Sequence, residues 1–548
     1  MERWLNHGGA ELDVVLASGA VSLLDAEWVV SLAKRGGVLS PRQSLPQEAF
    51  LSLPEVQTAA AIVAASHCWL QPDHPDPRGH NLRVLARALE LRLQHAPGCR
   101  VAVFYDFCCI HQKCRAADGT PGKHVVGWTG GEEGAVGRLP AEEALFREAL
   151  GSLGVLYSLP RTFVFMLRAF PADYDDPSAY ARSGNVAPYL DRGWCFCESS
   201  WAAMVKNKDM VLDLSNESGE GSSGPVDEAA GGTSLPWDTY VAKCRQGRRA
   251  PLTPDAFAAL LEKKSFTNGS TDRPRVAELY RRCFQERFGK AAWLGYNSLG
   301  WGAAEAQAVA AVLASGATPA LTELSLQFNS LGDLGAQALA AALPHSRALV
   351  QLRLGNNQIG DAGAVALAAA LPATALQELR LGANLIGGAG AAALYRALPG
   401  VPTLARLYLH ENRVGDEGAI ALAAALGSAP GLQHVGLKRN AIGDAGARAL
   451  AEALPAAPAL QTLDLEDNAI GDGAAAALAA ALPATTALVA LNLGSNSVGE
   501  EGAWALVRAA PQAPRLRELL LHSNPIGDEG ARQAMRQACA GGKVGVGF

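Results

Sequence analysis

Residues 349–372 read LVQLRLGNNQIGDAGAVALAAALP, and copies of this stretch follow one another through the C-terminal half of the chain. Each copy contains the pattern L-x-x-L-x-L-x-x-N, then an apolar residue, a glycine, usually an aspartate, and a run rich in Ala and Leu. The asparagine of the pattern occurs eight times, at Asn329, Asn357, Asn384, Asn412, Asn440, Asn468, Asn496 and Asn524. Six of the seven spacings are 28 residues and one is 27. So regular a period indicates a solenoid of stacked repeats, with eight clear copies from residue 321.

Each copy predicts one strand followed by one helix. The leucines of the pattern point inward from a short strand, and the residues between them point outward to one face. The asparagine amide is expected to bond backbone groups that the turn leaves unpaired, so that the stack forms a continuous ladder. The aspartate is expected to cap the helix that follows it, in the copies with Asp333, Asp361, Asp416, Asp444, Asp472 and Asp528. Gly388 and Glu500 interrupt that rule. Prolines are expected to end the helices, at Pro344, Pro372, Pro399, Pro455, Pro483 and Pro511.

A βα repeat of this length resembles the ribonuclease-inhibitor-like class of leucine-rich repeat. The resemblance covers about residues 290–540. It implies a curved solenoid with parallel strands inside and helices outside. Leu294-Gly295-Tyr296-Asn297 looks like a degenerate first copy, and residues 530–548 look like a closing cap.

The outward residues of the strands define the predicted concave face. The third to fifth copies carry basic and aromatic side chains there, and the sixth copy is acidic. A strip with such a charge gradient suits a protein partner. The alternative is that a solvated strand face carries polar residues whether or not it binds anything. The candidate contact residues are Arg353, Arg380, Arg406, Tyr408, His410, His434 and Lys438.

Composition narrows the class of protein. The 548 residues are too many for one core, and 49% apolar with 18% charged residues is typical of globular chains. The net charge of −6 gives no general attraction to nucleic acid or anionic lipid. No apolar run approaches the roughly 20 residues of a membrane helix, and the N-terminus lacks the features of a signal peptide. The ten cysteines have no framework spacing and are expected to be reduced thiols. We expect a cytoplasmic protein with neither nucleic-acid nor membrane partners.

The N-terminal half alternates strands and helices. Strands are predicted at 60–65, 100–107, 162–167 and 210–214, and helices at 80–95, 140–152 and 194–205. This alternation predicts an α/β domain with a parallel sheet over residues 58–215. Residues 1–57 are interpreted as an N-terminal extension, 216–236 as an acidic Gly/Ser linker, 237–289 as a helical bridge, and 290–548 as the solenoid. A long loop is expected at 115–139.

Three short strings in the α/β domain resemble a known family. They are Ser66-His67-Cys68-Trp69, then Asp106-x-Cys108-Cys109-Ile110-His111-Gln112, then Arg192-Gly193-Trp194-Cys195-x-x-Glu198. Their order and settings are similar to those of the heterokaryon-incompatibility domain, which is related to the Toll/interleukin-1 receptor (TIR) domain. The sequence departs from that family at His67, where an aromatic residue is usual, and at Leu70, where glycine is usual.

The resemblance implies a site for NAD. Many TIR-like domains cleave the nicotinamide glycosidic bond with the glutamate of this helix, which corresponds here to Glu198. Ser66, His67, Trp69, Asp106 and Trp194 would line or support the pocket. NAD would be a substrate, and no cofactor is required. TIR-like domains also suggest self-association of this half. The ordinary structural alternatives are a helix-dipole charge for Glu198, core packing for the tryptophans, and a turn role for Asp106.

One string also suggests a zinc site, and three classes of function fit the chain. Cys108, Cys109, His111 and Cys114 invite a zinc site, but adjacent cysteines at a strand end point to opposite faces, so no metal is predicted. The function classes are a sensor or effector that signals through the α/β domain, a non-enzymatic interaction scaffold, and a regulator of a small GTPase acting through the repeats.

Overall fold

The chain folds as two units, residues 1–288 and 289–548, and each contains its own β-sheet. The structure, a computed structural model, describes residues 9–70, 75–110, 140–171, 174, 187–206, 208–217, 236–244, 248–266, 269–539 and 544–548. His111, Cys114, the predicted loop at 115–139 and most of the predicted linker lie outside the described residues. Within the described part of the chain, no helix has the length and apolar character needed to span a membrane.

The first unit contains a five-stranded sheet of order β1-β3-β2-β4-β5. The strands are β1 (Leu24–Asp25), β2 (Ala61–His67), β3 (Val101–Tyr105), β4 (Thr162–Leu167) and β5 (Val211–Asp213). All pairings among β2 to β5 are parallel, which confirms the predicted parallel sheet. Every residue of the central strand β2 is buried, as expected for a strand covered on both faces.

Helices surround this sheet. They are α1 (Gly9–Ala17), α2 (Ala26–Lys34), α3 (Leu53–Thr58), α4 (His80–His95), α5 (Asp106–Cys109), α6 (Pro140–Ser158), α7 (Gly193–Ala203), α8 (Trp237–Cys244), α9 (Pro254–Leu261) and α10 (Gly269–Lys290). The predicted helix at 80–95 agrees with α4, whereas α6 continues six residues beyond the predicted end at 152.

The described part of the predicted N-terminal extension, residues 9–57, contributes a strand and several contacts to the sheet domain. β1 pairs antiparallel with β3, and Leu51 donates its backbone N–H to Leu23. The side chain of Arg42 donates to the carbonyl of Ala20, 3.0 Å away. A two-residue edge strand is too short to show an alternating pattern, so the sequence did not reveal it.

The segment interpreted as a helical bridge also packs within the first unit. Phe257 of α9 stacks on Phe196 of α7, with ring centroids 5.1 Å apart, and on Tyr280 of α10 at 3.7 Å. Trp237 of α8 contacts Phe163 of β4 edge to face. The periodicity of a helix indicates that it has an apolar face, but not which element covers that face.

The second unit is a solenoid with a ten-stranded parallel sheet. Its strands are β6 (Trp293–Gly295), β7 (Glu323–Ser325), β8 (Gln351–Arg353), β9 (Glu378–Arg380), β10 (Arg406–Tyr408), β11 (His434–Gly436), β12 (Thr462–Asp464), β13 (Ala490–Asn492), β14 (Glu518–Leu520) and β15 (Gly545–Gly547). Its helices are α11 (Ala303–Ala314), α12 (Gly332–Ala342), α13 (Asp361–Ala370), α14 (Gly388–Ala397), α15 (Gly415–Leu426), α16 (Asp444–Ala453), α17 (Asp472–Ala481), α18 (Glu500–Ala509) and α19 (Glu529–Cys539).

The predicted asparagine ladder is confirmed. The side-chain amide of Asn384 donates to the carbonyls of Leu354 in the preceding copy, 3.0 Å away, and of Leu381 in its own copy, 2.8 Å away. Its Oδ1 accepts from the backbone N–H groups of Asn357 and Ile359, both at 3.0 Å. Each asparagine therefore joins one copy to the one before it, at backbone groups that the turn leaves without strand partners.

The prediction for the aspartates was wrong for most copies. Oδ1 of Asp361 accepts from Gly387 and Gly390, at 2.7 and 3.0 Å, and these residues begin the helix of the next copy. Asp361 is the first residue of α13. Its side chain lies beside the N-terminus of α14, the helix of the next copy, and not at the N-terminus of α13. The same reach to the following copy is made by Asp333, Asp416, Asp444 and Asp472. Asp528 alone among the six caps its own helix, through Ala531 at 2.9 Å.

The prolines act as predicted. α13 ends at Ala370, and Pro372 lies in the 3₁₀ turn that follows, Leu371–Ala373. The turns after α12, α14, α16, α17 and α18 contain a proline at the same place. A proline at this point cannot continue the α-helix, because it has no N–H to donate.

Candidate functional site

The candidate site in the α/β domain lies at the carboxyl end of the central strand. β3 pairs with one edge of β2, and β4 pairs with the other. The connection from β2 to β3 and the connection from β3 to β4 therefore lead to opposite sides of β2. Open α/β sheets bind ligands in the crevice at such a switch point. Ser66 and His67 are the last two residues of β2. The fold therefore places the first family-like string where a ligand site is expected.

Ser66 connects this strand end to helix α7. Its hydroxyl donates to Oε2 of Glu198, and the Tyr189 hydroxyl hydrogen-bonds to the same Ser66 oxygen. Glu198 is the sixth residue of α7, and only 8% of it is exposed. The structure thus brings Glu198 and Ser66 together, although they are 132 residues apart in the sequence.

Burial makes the carboxyl of Glu198 an unusually weak acid. It raises the pKa of this carboxyl to about 8, and the negative charge of Asp106 adds to the rise. The hydrogen bond from Ser66 and the charge of His67 act in the opposite direction and lower the pKa. Glu198 is therefore mostly a neutral carboxylic acid at pH 7 and ionises near pH 8.

His67 and Asp106 form an ion pair beside this carboxyl. Nε2 of His67 lies 2.8 Å from Oδ1 of Asp106, and the imidazole stacks on Tyr105 with ring centroids 4.0 Å apart. Burial alone lowers the pKa of His67, but the charge and hydrogen bond of Asp106 raise it overall. Burial likewise opposes ionisation of Asp106, yet His67, the N–H of Phe107 and the indole of Trp69 lower its pKa overall. The pair is thus stabilised in its charged form.

Trp69 and Asp106 are the members of this group that solvent reaches. The indole N–H of Trp69 donates to Oδ2 of Asp106 at 3.4 Å, and the Asp106 side chain is 28% exposed, against 2% for His67. Nδ1 of His67 is buried and has no hydrogen-bond partner among the described residues. It is a polar atom that remains for a ligand or water to pair with.

Trp194 is directed to a different place. Its indole N–H donates to Oδ2 of Asp272 in α10, at 3.2 Å, and the side chain is half-buried. The geometry therefore groups Ser66, His67, Trp69, Asp106 and Glu198, and it gives Trp194 a partner in the helix that the sequence assigned to the bridge.

Three residues of the site have no role in the sequence prediction. Tyr189 hydrogen-bonds to Ser66, and the Tyr157 hydroxyl donates to the carbonyl of Ala65, 3.1 Å away. Arg192 donates from Nη1 to the carbonyl of Trp69 at 2.8 Å and so holds the segment after β2. Arg192 stands in the third family-like string, but neither tyrosine lies in any of the three strings. Only the fold brings the tyrosines to this strand end.

The cysteines near this site are reduced and buried. Sγ of Cys68 lies 4.0 Å from Sγ of Cys195. In the described part of the chain, no three His, Cys, Asp or Glu side chains are arranged to hold a metal ion.

The second candidate site is the outward face of the solenoid strands. Glu378 and Arg406 are directly opposite each other on β9 and β10, and so are Arg380 and Tyr408. Glu378 accepts from Nε of Arg380 at 2.5 Å and lies 3.4 Å from Nη1 of Arg406. The guanidinium of Arg380 lies 5.0 Å from the centre of the Tyr408 ring.

The other predicted basic residues each have one acidic neighbour. Nε of Arg353 lies 3.3 Å from Glu323, and Nζ of Lys438 lies 2.8 Å from Glu466. The sequence indicated a basic strip across these copies, but the parallel register brings acids of neighbouring copies beside the cations. Most of the cations in this strip are therefore paired with a carboxylate, and an excess of positive charge remains only where two arginines share Glu378.

The aromatic side chains of this face pack against glycines of neighbouring copies. The His410 ring covers Gly382, where a β-carbon would come within 2.1 Å of it, and the Tyr408 ring covers Gly436, where the distance would be 2.9 Å. His434 is half-buried, and burial together with the charge of Arg406 lowers its pKa. His434 is therefore expected to be neutral at pH 7.

The repeats of the solenoid agree with the comparison to known families. Residues 319–340, 345–368, 402–423, 432–451 and 457–479 match the family model described as Leucine Rich repeat. These segments are leucine-rich repeats, and such repeats imply binding of a protein or other ligand. No curated protein matches the chain.

Two solved structures resemble parts of the chain. One is titled as actin-binding site 2 of leiomodin-1, with 20% identity and a TM-score of 0.21, and it covers 28% of this chain and 75% of that one. The other is a complex of TLR13 with ssRNA13, with 20% identity and a TM-score of 0.29. It covers 44% of this chain and 34% of that one. Neither similarity bears on the function of this chain.

Proposed function

We propose that this protein is a sensor or effector whose repeat array binds a protein partner through the concave, strand-side face. The observation that carries this proposal is the ordered set of half-exposed charged and aromatic side chains on β8 to β11. These side chains are held by ion pairs and by packing on glycines, so little side-chain entropy is lost when a partner docks. The Tyr and Arg content of the patch is typical of interface centres.

The test is photocrosslinking from the full-length chain in extracts of the source cells. Benzoylphenylalanine at His434 lies on the strand face, and the matched control is the same residue at Gln337, which is exposed on α12. We expect an adduct from position 434 that is absent from position 337. The crosslinked partner, once purified, should bind the wild-type chain, and it should bind the Tyr408→Ala variant more weakly. Equal adducts at both positions, or binding that Tyr408→Ala leaves unchanged, would refute the proposal.

A second candidate function belongs to the α/β domain, which we infer signals by cleaving NAD at the nicotinamide glycosidic bond. The observation that favours it is the position of Glu198 at the switch point of the sheet, hydrogen-bonded to Ser66 and close to His67 and Asp106. In such a cleavage the bond between the ribose carbon and the nicotinamide nitrogen breaks, and water adds to the ribose. The positive charge that develops on the ribose ring is stabilised by a nearby carboxylate.

The residues divide between two tasks in this scheme. Glu198 in its ionised form faces the developing charge, and Ser66 and Tyr189 orient it. Trp69 and Asp106 are the members that solvent reaches, so we expect a ligand to contact them first. Nδ1 of His67 supplies a further polar contact. Because Glu198 ionises near pH 8, the rate of cleavage is expected to rise between pH 7 and pH 9.

Nicotinamide release by the purified full-length protein tests this second function. The measurement is made at high protein concentration, to allow the proposed self-association of the N-terminal half. Glu198→Gln should abolish release, whereas Glu278→Gln, at an exposed residue of α10, should not change it. Release that survives Glu198→Gln would remove this residue from the reaction. No release by the wild type at any concentration would favour an interaction protein without enzymatic activity.

A further inference from the structure

Two neighbouring strands of the solenoid carry a group of four side chains that differs from the rest of the face. Glu378 and Arg380 lie on β9, and Arg406 and Tyr408 lie on β10 in direct register with them. We call these four residues the arginine fork. It contains two cations for one anion.

A single carboxylate orients both guanidiniums of the fork. Glu378 is only 4% exposed, and its two oxygens face different partners, Oε1 facing Arg380 and Oε2 facing Arg406. The two arginine side chains remain 41% and 42% exposed. Each guanidinium has five N–H donors, so several donors of each are left after the bond to Glu378.

Tyr408 fixes the position of one of these cations. Its ring lies under the guanidinium of Arg380 and is itself seated on Gly436. The cation–π contact and the ion pair together restrict a side chain that would otherwise have high rotamer entropy. The fork is therefore organised before any partner arrives.

The charge of the fork is not cancelled by its neighbours. Arg353 and Lys438 are each matched by one glutamate, as described above. Arg439, just beyond β11, lies between two acids, at 3.6 Å from Glu411 and in contact with Asp467. The fork thus has an excess of one positive charge, whereas the group around Arg439 has an excess of one negative charge.

The same asymmetry extends along the sheet. The strand residues that face outward on β7 to β10 include three arginines and two glutamates. Those on β11 to β14 include Asp464 and Glu518, and just beyond β11 the cation Lys438 is paired with Glu466. An extended polyanion such as a nucleic acid would meet repulsion on the second half. A segment with separate acidic and basic ends would match both halves.

We propose that the arginine fork is the anchor for a carboxylate side chain in an acidic segment of the protein partner, with basic residues of the same segment lying over β12. This proposal rests on the proposed function, in which the concave face binds a protein. A planar guanidinium pairs with a carboxylate through two parallel N–H···O bonds, and two fixed guanidiniums can hold one carboxylate between them. From β10 to β12 is two strand spacings, about 10 Å, which an extended chain spans in about three residues.

The test uses a blocked hexapeptide, acetyl-EEGGKK-amide, titrated calorimetrically into the full-length protein. The control peptide is acetyl-QQGGKK-amide, which has the same length and the same lysines. We expect the glutamate peptide to bind at least about ten times more tightly than the glutamine peptide, in a salt-dependent way. Equal affinity for both peptides, or no binding of the glutamate peptide at millimolar concentration, would overturn the proposal.

Variants of the chain locate the binding. Arg380→Gln and Arg406→Gln should each weaken binding of the glutamate peptide about ten-fold. Arg380→Lys should have an intermediate effect, because lysine keeps the charge but lacks the planar guanidinium. The matched control is Arg439→Gln. It removes one exposed guanidinium from the negatively charged group formed by Arg439, Glu411 and Asp467, and it should not weaken binding of the peptide. If Arg439→Gln weakens binding as much as the fork variants do, the fork is not the anchor. Thermal unfolding of each variant separates loss of binding from loss of structure.

The failure of this proposal is distinct from that of the proposed function. A partner that crosslinks at position 434, but binds Arg380→Gln and Arg406→Gln as tightly as the wild type, would leave the concave face as the binding surface and remove the fork. No adduct at position 434 would instead remove the binding role of the face itself.

Discussion

The Oδ1 atom of Asp361 accepts the backbone N–H of Gly387 at 2.7 Å, although Gly387 belongs to the next repeat. The same oxygen also accepts from Gly390 at 3.0 Å. The N–H groups at the start of a helix have no partner within that helix. In five copies of this solenoid, one or two of these N–H groups bond to an aspartate of the preceding copy, so capping of the helix and stacking of two repeats are the same interaction.

This relationship predicts that Asp361→Ala destabilises the interface between two copies. The substitution leaves two backbone donors of α14 without their acceptor, and we expect a loss of about 1–2 kcal/mol in the free energy of unfolding. Asp528→Ala is the matched control, because Asp528 makes one such bond within its own exposed helix. Urea unfolding followed by circular dichroism measures both variants. An equal or larger loss for Asp528→Ala would contradict the idea that the bond between copies matters more.

The asparagine ladder predicts a graded response to alanine. Asn384→Ala removes a buried amide that donates to three carbonyls and accepts from two N–H groups, and we expect a cost of about 2–4 kcal/mol. Asn468 makes the same five bonds but is partly exposed, so water can replace some of them. Asn468→Ala should therefore cost less by the same unfolding measurement. A larger cost at Asn468 would show that burial does not control the energetics of the ladder.

The acidity of Glu198 predicts a pH dependence of stability. Its pKa is about 8 in the folded protein, above the ordinary value of 4.5, so the folded state holds a proton that the unfolded state releases between these values. The stability that this carboxyl contributes is fully present below about pH 4.5 and is lost as the pH rises towards 8. Glu198→Gln keeps the neutral form at every pH. The variant should therefore become more stable relative to the wild type from pH 5 to pH 9.

Thermal unfolding of the two proteins at pH 5, 7 and 9 measures this difference. Using the difference removes the contributions of His67, Asp106 and other groups that titrate in both proteins. A difference in melting temperature that stays constant over the range would mean that Glu198 is ionised in the folded state throughout.

The position of Trp194 predicts that its substitution lowers stability but leaves binding of NAD unchanged. Trp194→Phe removes the indole donor to Asp272, and we expect a loss of about 1 kcal/mol in stability. Burial raises the pKa of Asp272, and the bond from Trp194 opposes that rise, so its loss should raise the pKa of Asp272 further. If the α/β domain releases nicotinamide, the KM for NAD should not change in this variant. A large increase in KM at unchanged stability would place Trp194 in the ligand pocket after all.

Much of the architecture was predictable from local patterns. The eight asparagines and their leucines predicted the parallel strands, the ladder and the proline-terminated helices. The apolar runs and amphipathic stretches of the N-terminal half predicted four strands and the helix α4. In each case the signal is the periodicity with which a strand or a helix presents one face to a core, and this periodicity is written directly in the sequence.

The candidate site was predictable only in part. The short strings led to Ser66, His67, Asp106 and Glu198, which the structure brings together at the end of β2. They did not indicate Tyr189 or Tyr157, because a side chain contributed from another element by tertiary packing leaves no local pattern.

The sequence by itself determined that residues 290–540 form stacked repeats, because each copy cannot bury its leucines except against the next. Only the tertiary structure decided which groups meet across copies and elements. Register set Glu378 between two arginines, stacking directed Asp361 to the following helix, and packing of α10 gave Trp194 a partner in Asp272. Periodicity specifies the face of an element that is buried, whereas the neighbour on that face depends on how the elements are arranged in space.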